Sequence, residues 1–556
     1  MRATSFAFFA ALVGIAASAA CDEPYPSDPA IDPEAPVVRI ESPARGAYLG
    51  DVTSVTVTGK VIDASPLREL LVNGVAIAAG PEGDFTATVP LPATGTELIT
   101  VEAVDRDGNV GRQTRAVAAG PRAPLSTRVR DSVTAAISDT AFEAVGNLVA
   151  QTLADKDLGA WIAPHNPVIS KGAPDGPDCL FGNVAIGALD ISAASISLLP
   201  TVTGLTLTAE LTGVRVPMHL DYAALCIDGS SEALMTATKV RISGRFTFGI
   251  RGGQFDIKLL APQVRFEGFA LALDGLPGQV VTLLDLGNTL GPVLSWAVEQ
   301  LAAPILGDAL AGFDGTTTTE LLGKTLDVVV APTEISFSPV DAKVRLDSAF
   351  RVHGDEGGPG FVMVPNSRPS MDATGGMQLA VSDDAVNQLL ASFWAARGMD
   401  LAIDLTTGDY GGLGKLYDRV ETQGLLPLSV RADGAGLAIV IPDLLVSFKE
   451  GDLLATQIAI NGSLSIGVER GGDGALRLVS SAPKVFVDIL REGVDGANPL
   501  ASSQFEALTS FALGRLTQVA TGLVGSVPLP TAAGATITGV SVSGRGGYLI
   551  IDAQAQ

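Results

Sequence analysis

Residues 377–400 read MQLAVSDDAVNQLLASFWAARGMD, and the reading of the fold turns on this stretch. An apolar, strand-like run from Met377 to Val381 ends at Ser382. The Ser382 hydroxyl is placed to accept one of the first-turn amide protons that a following helix leaves unpaired. Asp383 and Asp384 come next, where the positive end of a helix dipole favours negative charge. Val386, Leu389, Leu390 and Phe393 then recur at helical spacing, and Gly398 stands where a C-terminal stop is expected. A strand thus runs without interruption into an amphipathic helix that has to lie against something apolar.

Alternating runs follow at 428–430, 437–441, 444–448, 458–468, 476–479 and 485–489. A late apolar helix is expected around 502–524, with Phe505, Leu508, Phe511, Leu516, Val519 and Leu523. The preceding part of the chain has the same order. Val129, Val133, Ile137, Val145, Leu148, Val149 and Leu153 mark a long amphipathic helix ending before Gly159. In the run that follows, Leu205, Leu207, Ala209 and Leu211 share one face, and Thr206, Thr208, Glu210 and Thr212 share the other. Such alternation describes a sheet with one dry and one wet face. Residues 276–310 read as helical and very apolar, with breaks at Pro292 and Pro304. Strands are expected over 326–352, and a Gly/Pro-rich stretch, 354–369, joins the halves. Helix, strands, helix therefore occurs twice, which indicates an internal repeat.

The 556 residues give room for three or four domains. With 47% hydrophobic and 17% charged residues, the chain can bury large cores. The net charge of −24 argues against nucleic acid as a partner and against attraction to an anionic membrane surface. At the start, Met1-Arg2 and the apolar run Phe6 to Ala17 form a leader, so 1–20 is read as a signal peptide. Ser18-Ala19-Ala20-Cys21 resembles a bacterial lipobox, making Cys21 the expected lipidation site; ordinary cleavage at Ala17, Ala19 or Ala20 is the alternative. No later apolar run is long enough to span a bilayer, so the expectation is an anchored protein. Cys179 and Cys226 then remain as a pair, and in an exported protein they are expected to form a disulfide. Residues 21–36 are an acidic, proline-rich tether with a reach of ~45 Å.

Residues 37–118 read as an all-β unit, with short strands at 55–58, 70–72, 85–89 and 98–101 and a hairpin signal at Asn73-Gly74. Leu71-Val72-Asn73-Gly74, Gly83-Asp84-Phe85 and Ala103-Val104-Asp105 resemble bacterial immunoglobulin-like domains. Such a domain is expected to act as a spacer or to engage a protein partner. Asp105 to Asn109 lacks the remaining ligands of a calcium loop and reads as a plain turn.

The segment Leu379 to Leu390 resembles the one that opens the C-terminal barrel of the bactericidal/permeability-increasing and lipid-transfer protein family, within the tubular lipid-binding superfamily. Val527-Pro528-Leu529-Pro530, followed by a strand and Gly547-Tyr548-Leu549-Ile550-Ile551, resembles that family's ending. The resemblance covers 126–556. It implies an α+β fold: two barrel-like lobes in a boomerang, each a highly twisted antiparallel sheet wrapped around a long helix. The lobes would be 119–355 and 356–556, preceded by the immunoglobulin-like β-sandwich. It also implies apolar grooves that take phospholipid or fatty acid. The candidate groove residues are Val145, Val149, Leu153, Leu290, Leu294, Val298, Leu301, Val386, Leu389, Leu390, Phe393, Leu508 and Phe511. Members that grip lipopolysaccharide are basic at one tip, and this acidic chain has no Lys/Arg cluster, so neutral lipid fits the resemblance better.

Nothing in the sequence singles out catalysis, a metal or a cofactor. His165, His219 and His353 stand apart, with no metal-binding spacing and no nucleophile elbow. Gly411-Gly412-Leu413-Gly414-Lys415 fails as a phosphate loop, because Asp409 replaces the first glycine and Leu416 the final hydroxyl residue. The expectation is a non-enzymatic lipoprotein of the bacterial cell envelope that carries or holds lipid. The alternative is a surface adhesion protein that binds a protein or glycan through its β domains.

Overall fold

The computed structural model describes residues 34–155, 160, 163–173, 179–273, 278–285, 315–364, 366–373, 375–407, 413–434, 436–470, 476–491, 505–506, 509 and 537–555. Over these residues strand accounts for 63% and helix for 10%. The helices are Asp139–Asp155 (α1), Gly278–Leu284 (α2), Asp383–Ala395 (α3) and Leu413–Leu416 (α4). The expected α+β class, with two barrel-like lobes each wrapping a sheet around a long helix in a boomerang, is therefore corrected: the described residues are mostly β, and among them no long helix is enclosed by a sheet.

One reason lies at 129–153. Val129, Val133 and Ile137, read from the sequence as the start of one long helix, belong to a strand, Val129–Ser138. This strand is paired along both edges, with Asp341–Val352 on one side and Gly376–Ser382 on the other. Ala135 and Ala136 are adjacent in sequence and both buried, so the run shows no clean period of two. Val129, Val133 and Ile137 also recur every four residues, which one face of a strand and one stripe of a helix both satisfy. Only 139–155 is helical.

A seven-stranded sheet joins the two halves. Its order is Gly315–Leu321, Lys324–Phe337, Asp341–Val352, Val129–Ser138, Gly376–Ser382, Tyr548–Ala555, Ile537–Arg545. The central pairing sets Val133 opposite Val381 and Ile137 opposite Met377. Each of these two strands runs straight into a helix, α1 and α3 respectively.

Beyond the joining sheet, each half builds a seven-stranded sheet of its own. The first runs Ile169–Gly172, Phe181–Ile186, Gly204–Ala224, Ile227–Arg251, Gln254–Glu267. The second runs Ala402–Asp404, Arg419–Gly424, Gly436–Glu450, Leu453–Arg470, Leu476–Ser480. In each, one further strand pairs with the first long strand and another with the second. The two sheets share one topology. The first packs a continuous core through Leu205, Leu207, Val240, Ile242 and Phe246, the dry face that the alternation at 205–211 marks. Cys179 and Cys226 are bonded, tying the turn between its two long strands to the segment before Phe181.

Residues 37–119 form a sandwich of a three-stranded and a five-stranded sheet around Val57, Phe85, Ile99 and Val101. It is not free of the rest of the chain. The Arg45 guanidinium reaches Asp443 at 2.7 Å, the Thr114 carbonyl at 2.9 Å, and Asp488. Asp443 also accepts from the amides of Gly46 at 3.0 Å and Ala116 at 2.9 Å, and from Asn461 at 2.9 Å. Asp488 accepts from the Thr114 amide at 3.1 Å. Beside this network Ala116 and Ala118 pack on Leu426. Gly46 has a positive φ of 64°, and a Cβ there would stand 2.6 Å from that of Leu425, so glycine permits the close approach.

Removing one member of a buried charge network strands the others without partners. Asp443→Ala is expected to cost about 3–5 kcal/mol. Urea unfolding should then show the sandwich separating from the second lobe before the core melts, with early proteolysis in 119–128. A single transition at the wild-type midpoint would contradict this.

Candidate functional site

The site is built on α3. Ser382, with φ −68° and ψ 136°, caps it by accepting from the Asp384 amide at 3.1 Å. The stop falls one residue earlier than the sequence suggests. Arg397 takes the left-handed conformation at φ 57°, and the Gly398 amide donates back to the Phe393 carbonyl at 2.8 Å. A Cβ at Gly398 would sit 2.4 Å from the Phe393 ring, so any larger residue there requires that ring to move.

An amphipathic helix normally buries its apolar stripe. In α3 the buried residues are Asp383, Asp384, Ala385, Asn387, Gln388, Ala391 and Ser392. Their polar groups pair with backbone that the neighbouring strands leave open. Asn387 makes both bonds to Val430, accepting from its amide at 2.8 Å and donating to its carbonyl at 2.9 Å. Gln388 accepts from the Phe350 amide at 3.0 Å and donates to the carbonyls of Leu125 and Thr127 at 2.9 and 2.6 Å. Ser392 accepts from the Val352 amide at 2.7 Å and donates to Asp355 at 2.6 Å. Asp383 accepts from the Ala432 amide at 3.1 Å and Asp384 from the Val364 amide at 2.7 Å. Asn366 bridges Ser382 and Asp383 at 2.9 and 3.0 Å. Each unmade bond among buried groups would cost its full desolvation; in this set the Asn366 side-chain oxygen is buried with no partner among the described residues.

The opposite face carries Val386, Leu389, Leu390 and Phe393, all half-buried among the described residues. Leu389 and Phe393 border a small cluster of Leu326, Val352 and Ala396. Burial drives the carboxyls of the adjacent pair up, Asp384 to about 7, an effect its bond to Val364 opposes and the charge of Asp383 adds to. Burial, and then the charges of Asp131, Asp384 and Asp383, push Tyr548 up to about 12.

The equivalent helix of the first half behaves differently. In α1, Val149 is 2% exposed and, with Val145 at its edge, belongs to the continuous core around Ile196 and Leu198. Ser138 accepts from the Ala141 amide at 3.2 Å, as Ser382 does for α3. Ile137-Ser138-Asp139-Thr140-Ala141 and Val381-Ser382-Asp383-Asp384-Ala385 are thus two copies of one strand-to-helix device. That pair of motifs was the sequence signal for the repeat's register. The polar spacing Asn387, Gln388, Ser392 was the signal for the inward face. Of the remaining candidate groove residues, Leu290, Leu294, Val298, Leu301, Leu508 and Phe511 lie outside the described residues, as do Cys21 and the Leu153 side chain.

Other candidate chemistry resolves into local structure. Asp105 closes its own turn, accepting from the amides of Gly108 at 2.6 Å and Asn109 at 2.8 Å. His219 sits on an exposed ladder between Glu232 at 2.7 Å and Asp221 at 3.3 Å, and His353 pairs with Asp327 at 2.9 Å. Among the described residues no cluster of ligands could hold a metal ion, and no helix is long and apolar enough to cross a membrane.

No protein-family model matches the chain, and neither does any curated protein. Solved structures show distant likenesses. The crystal structure of lipopolysaccharide binding protein is 14% identical, with a TM-score of 0.39, over 77% of this chain and 99% of that one. P47 of Clostridium botulinum E1 is 8% identical, with a TM-score of 0.23, over 77% of this chain and 100% of that one. The fibronectin(III)-like modules of Clostridium thermocellum CbhA are 13% identical, with a TM-score of 0.14, over 35% of this chain and 92% of that one.

Asp384 gives the site a pH signature. Its folded-state pKa lies above its unfolded value, so its contribution to stability is full below about pH 4 and is lost as the pH rises through about 7. Asp384→Asn keeps an acceptor for Val364 and should remove this dependence, leaving the variant on the order of 2–4 kcal/mol more stable than wild type at pH 8 and equal to it near pH 4. Urea midpoints across this range check it; parallel curves for the two proteins would refute it.

Proposed function

We propose that this chain binds lipid, with acyl chains lying along the outward stripe of α3. The observation that carries the reading is the inversion of that helix. Its polar side is spent on holding four segments of the protein, and Val386, Leu389, Leu390 and Phe393 are turned away from that anchor. An apolar stripe on a helix fixed from behind makes a rigid wall for an apolar ligand, and such pockets use few polar groups. Burial of acyl methylenes supplies about 0.8 kcal/mol each, so a chain of several methylenes binds without a charged contact. The acidic balance of −24 favours a neutral or zwitterionic lipid. In this reading Cys21 is the lipidated N-terminus, residues 21–36 are the tether, and the protein carries or holds lipid in a bacterial cell envelope without catalysing a reaction. The docked sandwich commits its Val110–Ala119 strand to Asp443, Asp488 and Leu426 of the same chain, which weighs against the adhesion alternative.

Organic extraction of the purified protein followed by mass spectrometry should recover phospholipid or fatty acid at about one per chain. Trp394, on α3 and donating to the Gly424 carbonyl at 2.7 Å, reports uptake by fluorescence. Val386→Asn with Leu390→Asn should weaken fatty-acid uptake by at least about tenfold, since placing two amides against an acyl chain costs more than 1.4 kcal/mol. Both positions are half-buried, so the variant is expected to lose some stability, and uptake is compared well below its thermal midpoint. Neither co-purifying lipid nor uptake of added lipid would remove the proposal.

A further inference from the structure

Between the sandwich, α3 and the second lobe lies a cavity of about 160 Å³. Its walls are mostly apolar and include Phe361, Ala391, Leu426, Val430 and Val440. Arg122 stands at its edge and also lines an adjoining polar cleft of about 340 Å³, which Gly360 shares. The Arg122 guanidinium lies over the Tyr48 ring, 3.6 Å from its centroid. Among the described residues no carboxylate or carbonyl accepts from its side chain. Partial burial works against its charge, and Tyr48 only partly offsets this. The contrast with its neighbours is plain: Arg431 donates to the Thr94 carbonyl at 2.9 Å, Arg351 is forked onto Asp355 at 2.7 and 2.5 Å, and Arg45 is held by two carboxylates. A guanidinium with no acceptor among the described residues, lying over an aromatic ring and lining an apolar cavity, is the chemistry that recognises a carboxylate carried on an apolar body.

We propose that this junction is a binding site for a small amphiphilic monocarboxylate, its apolar body in the cavity and its carboxylate on Arg122. Size sets the class. A dry cavity of about 150 Å³ takes a single benzene ring, so the space fits one ring or a short aliphatic chain and excludes a diacyl lipid. The site is separate from the lipid surface of α3: Asn387 and Ala391 line it from the buried face of the helix, opposite Leu390. Because its walls come from both the sandwich and the second lobe, an occupant would hold the two together.

The test is calorimetric titration of sodium benzoate into the full chain, with benzyl alcohol and inorganic phosphate as comparison probes. Benzoate should bind once per chain in the millimolar range or tighter. Benzyl alcohol and phosphate should each bind at least about tenfold more weakly, since one lacks the charge-assisted bonds and the other the apolar body. Arg122→Gln should weaken benzoate by about tenfold or more while leaving benzyl alcohol unchanged. Ala438→Leu, which fills the cavity, should abolish benzoate binding and carries the test if Arg122→Gln does not fold. Palmitate uptake should be unchanged in both variants, so a protein that takes benzoate and refuses palmitate would fail the lipid reading and keep this one. Benzoate affinity that is absent in the wild type, equal to that of benzyl alcohol or phosphate, or untouched by either substitution would overturn the proposal.

Discussion

Polar groups taken out of water must find partners inside the protein, and the second half of this molecule is organised by that requirement. Asn387, Gln388 and Ser392 each answer a backbone amide at which strand pairing is interrupted: Val430, Phe350 and Val352. Asp383 and Asp384 do the same for Ala432 and Val364. Every such bond is worth only about 1 kcal/mol net, but leaving one unmade costs more. The helix can therefore sit in one rotation and one register. The same rule fixes the sandwich, where Asp443 gathers donors from Arg45, Gly46, Ala116 and Asn461 around a carboxylate with no exposure at all.

The repeat shows how far one device can diverge. Both halves enter their helix through Ser-Asp at the end of a strand of the joining sheet, and both then lay down seven strands in the same order. Yet α1 turns its apolar side into the sheet, with Val149 and Ala150 in the core, and α3 turns its polar side in. In this register Phe142, Val145 and Val149 stand where α3 carries Val386, Leu389 and Phe393, so both helices keep one apolar stripe; the difference lies beside it, where Asn387, Gln388 and Ser392 replace Glu143, Ala144 and Leu148. One half was built as a packed body and the other as a held surface.

Much of this was open to reading from the residues, and the failures have physical causes. The Ser382 cap, the alternation at 205–211 and the pairing of Cys179 with Cys226 follow from local rules or from counting, and the structure contains all three. The helical reading from Val129 failed because Val129, Val133 and Ile137 recur every four residues, a spacing that one face of a strand and one stripe of a helix both satisfy. The inward face of α3 is not given by the pattern either: amphipathicity says that two faces differ, and only the neighbours decide which one packs inside the protein. Here the neighbours are strand ends with unpaired amides, set by pairings between residues far apart in sequence, such as Val129 with Ser348, beyond which Phe350 and Val352 are left open on that edge. The docking of the sandwich left no mark in periodicity, since its determinants are single residues, Arg45 and Asp443, scattered in ordinary loop and strand sequence.

Holding α3 from behind also links the surfaces on either side of it. Its buried face reaches the junction with the sandwich through Asn387 and Ala391, and its outward face carries Val386 and Leu390. A thirteen-residue helix pinned by at least five side chains moves as one piece. The Val430 contact and the stripe of Val386 and Leu390 thus lie on opposite sides of one firmly held helix. The sandwich, anchored on Asp443 and Asp488, lines the same junction through Gly95, Thr96 and Ala118, so one cavity is walled by the sandwich, the second lobe and the buried face of α3 together.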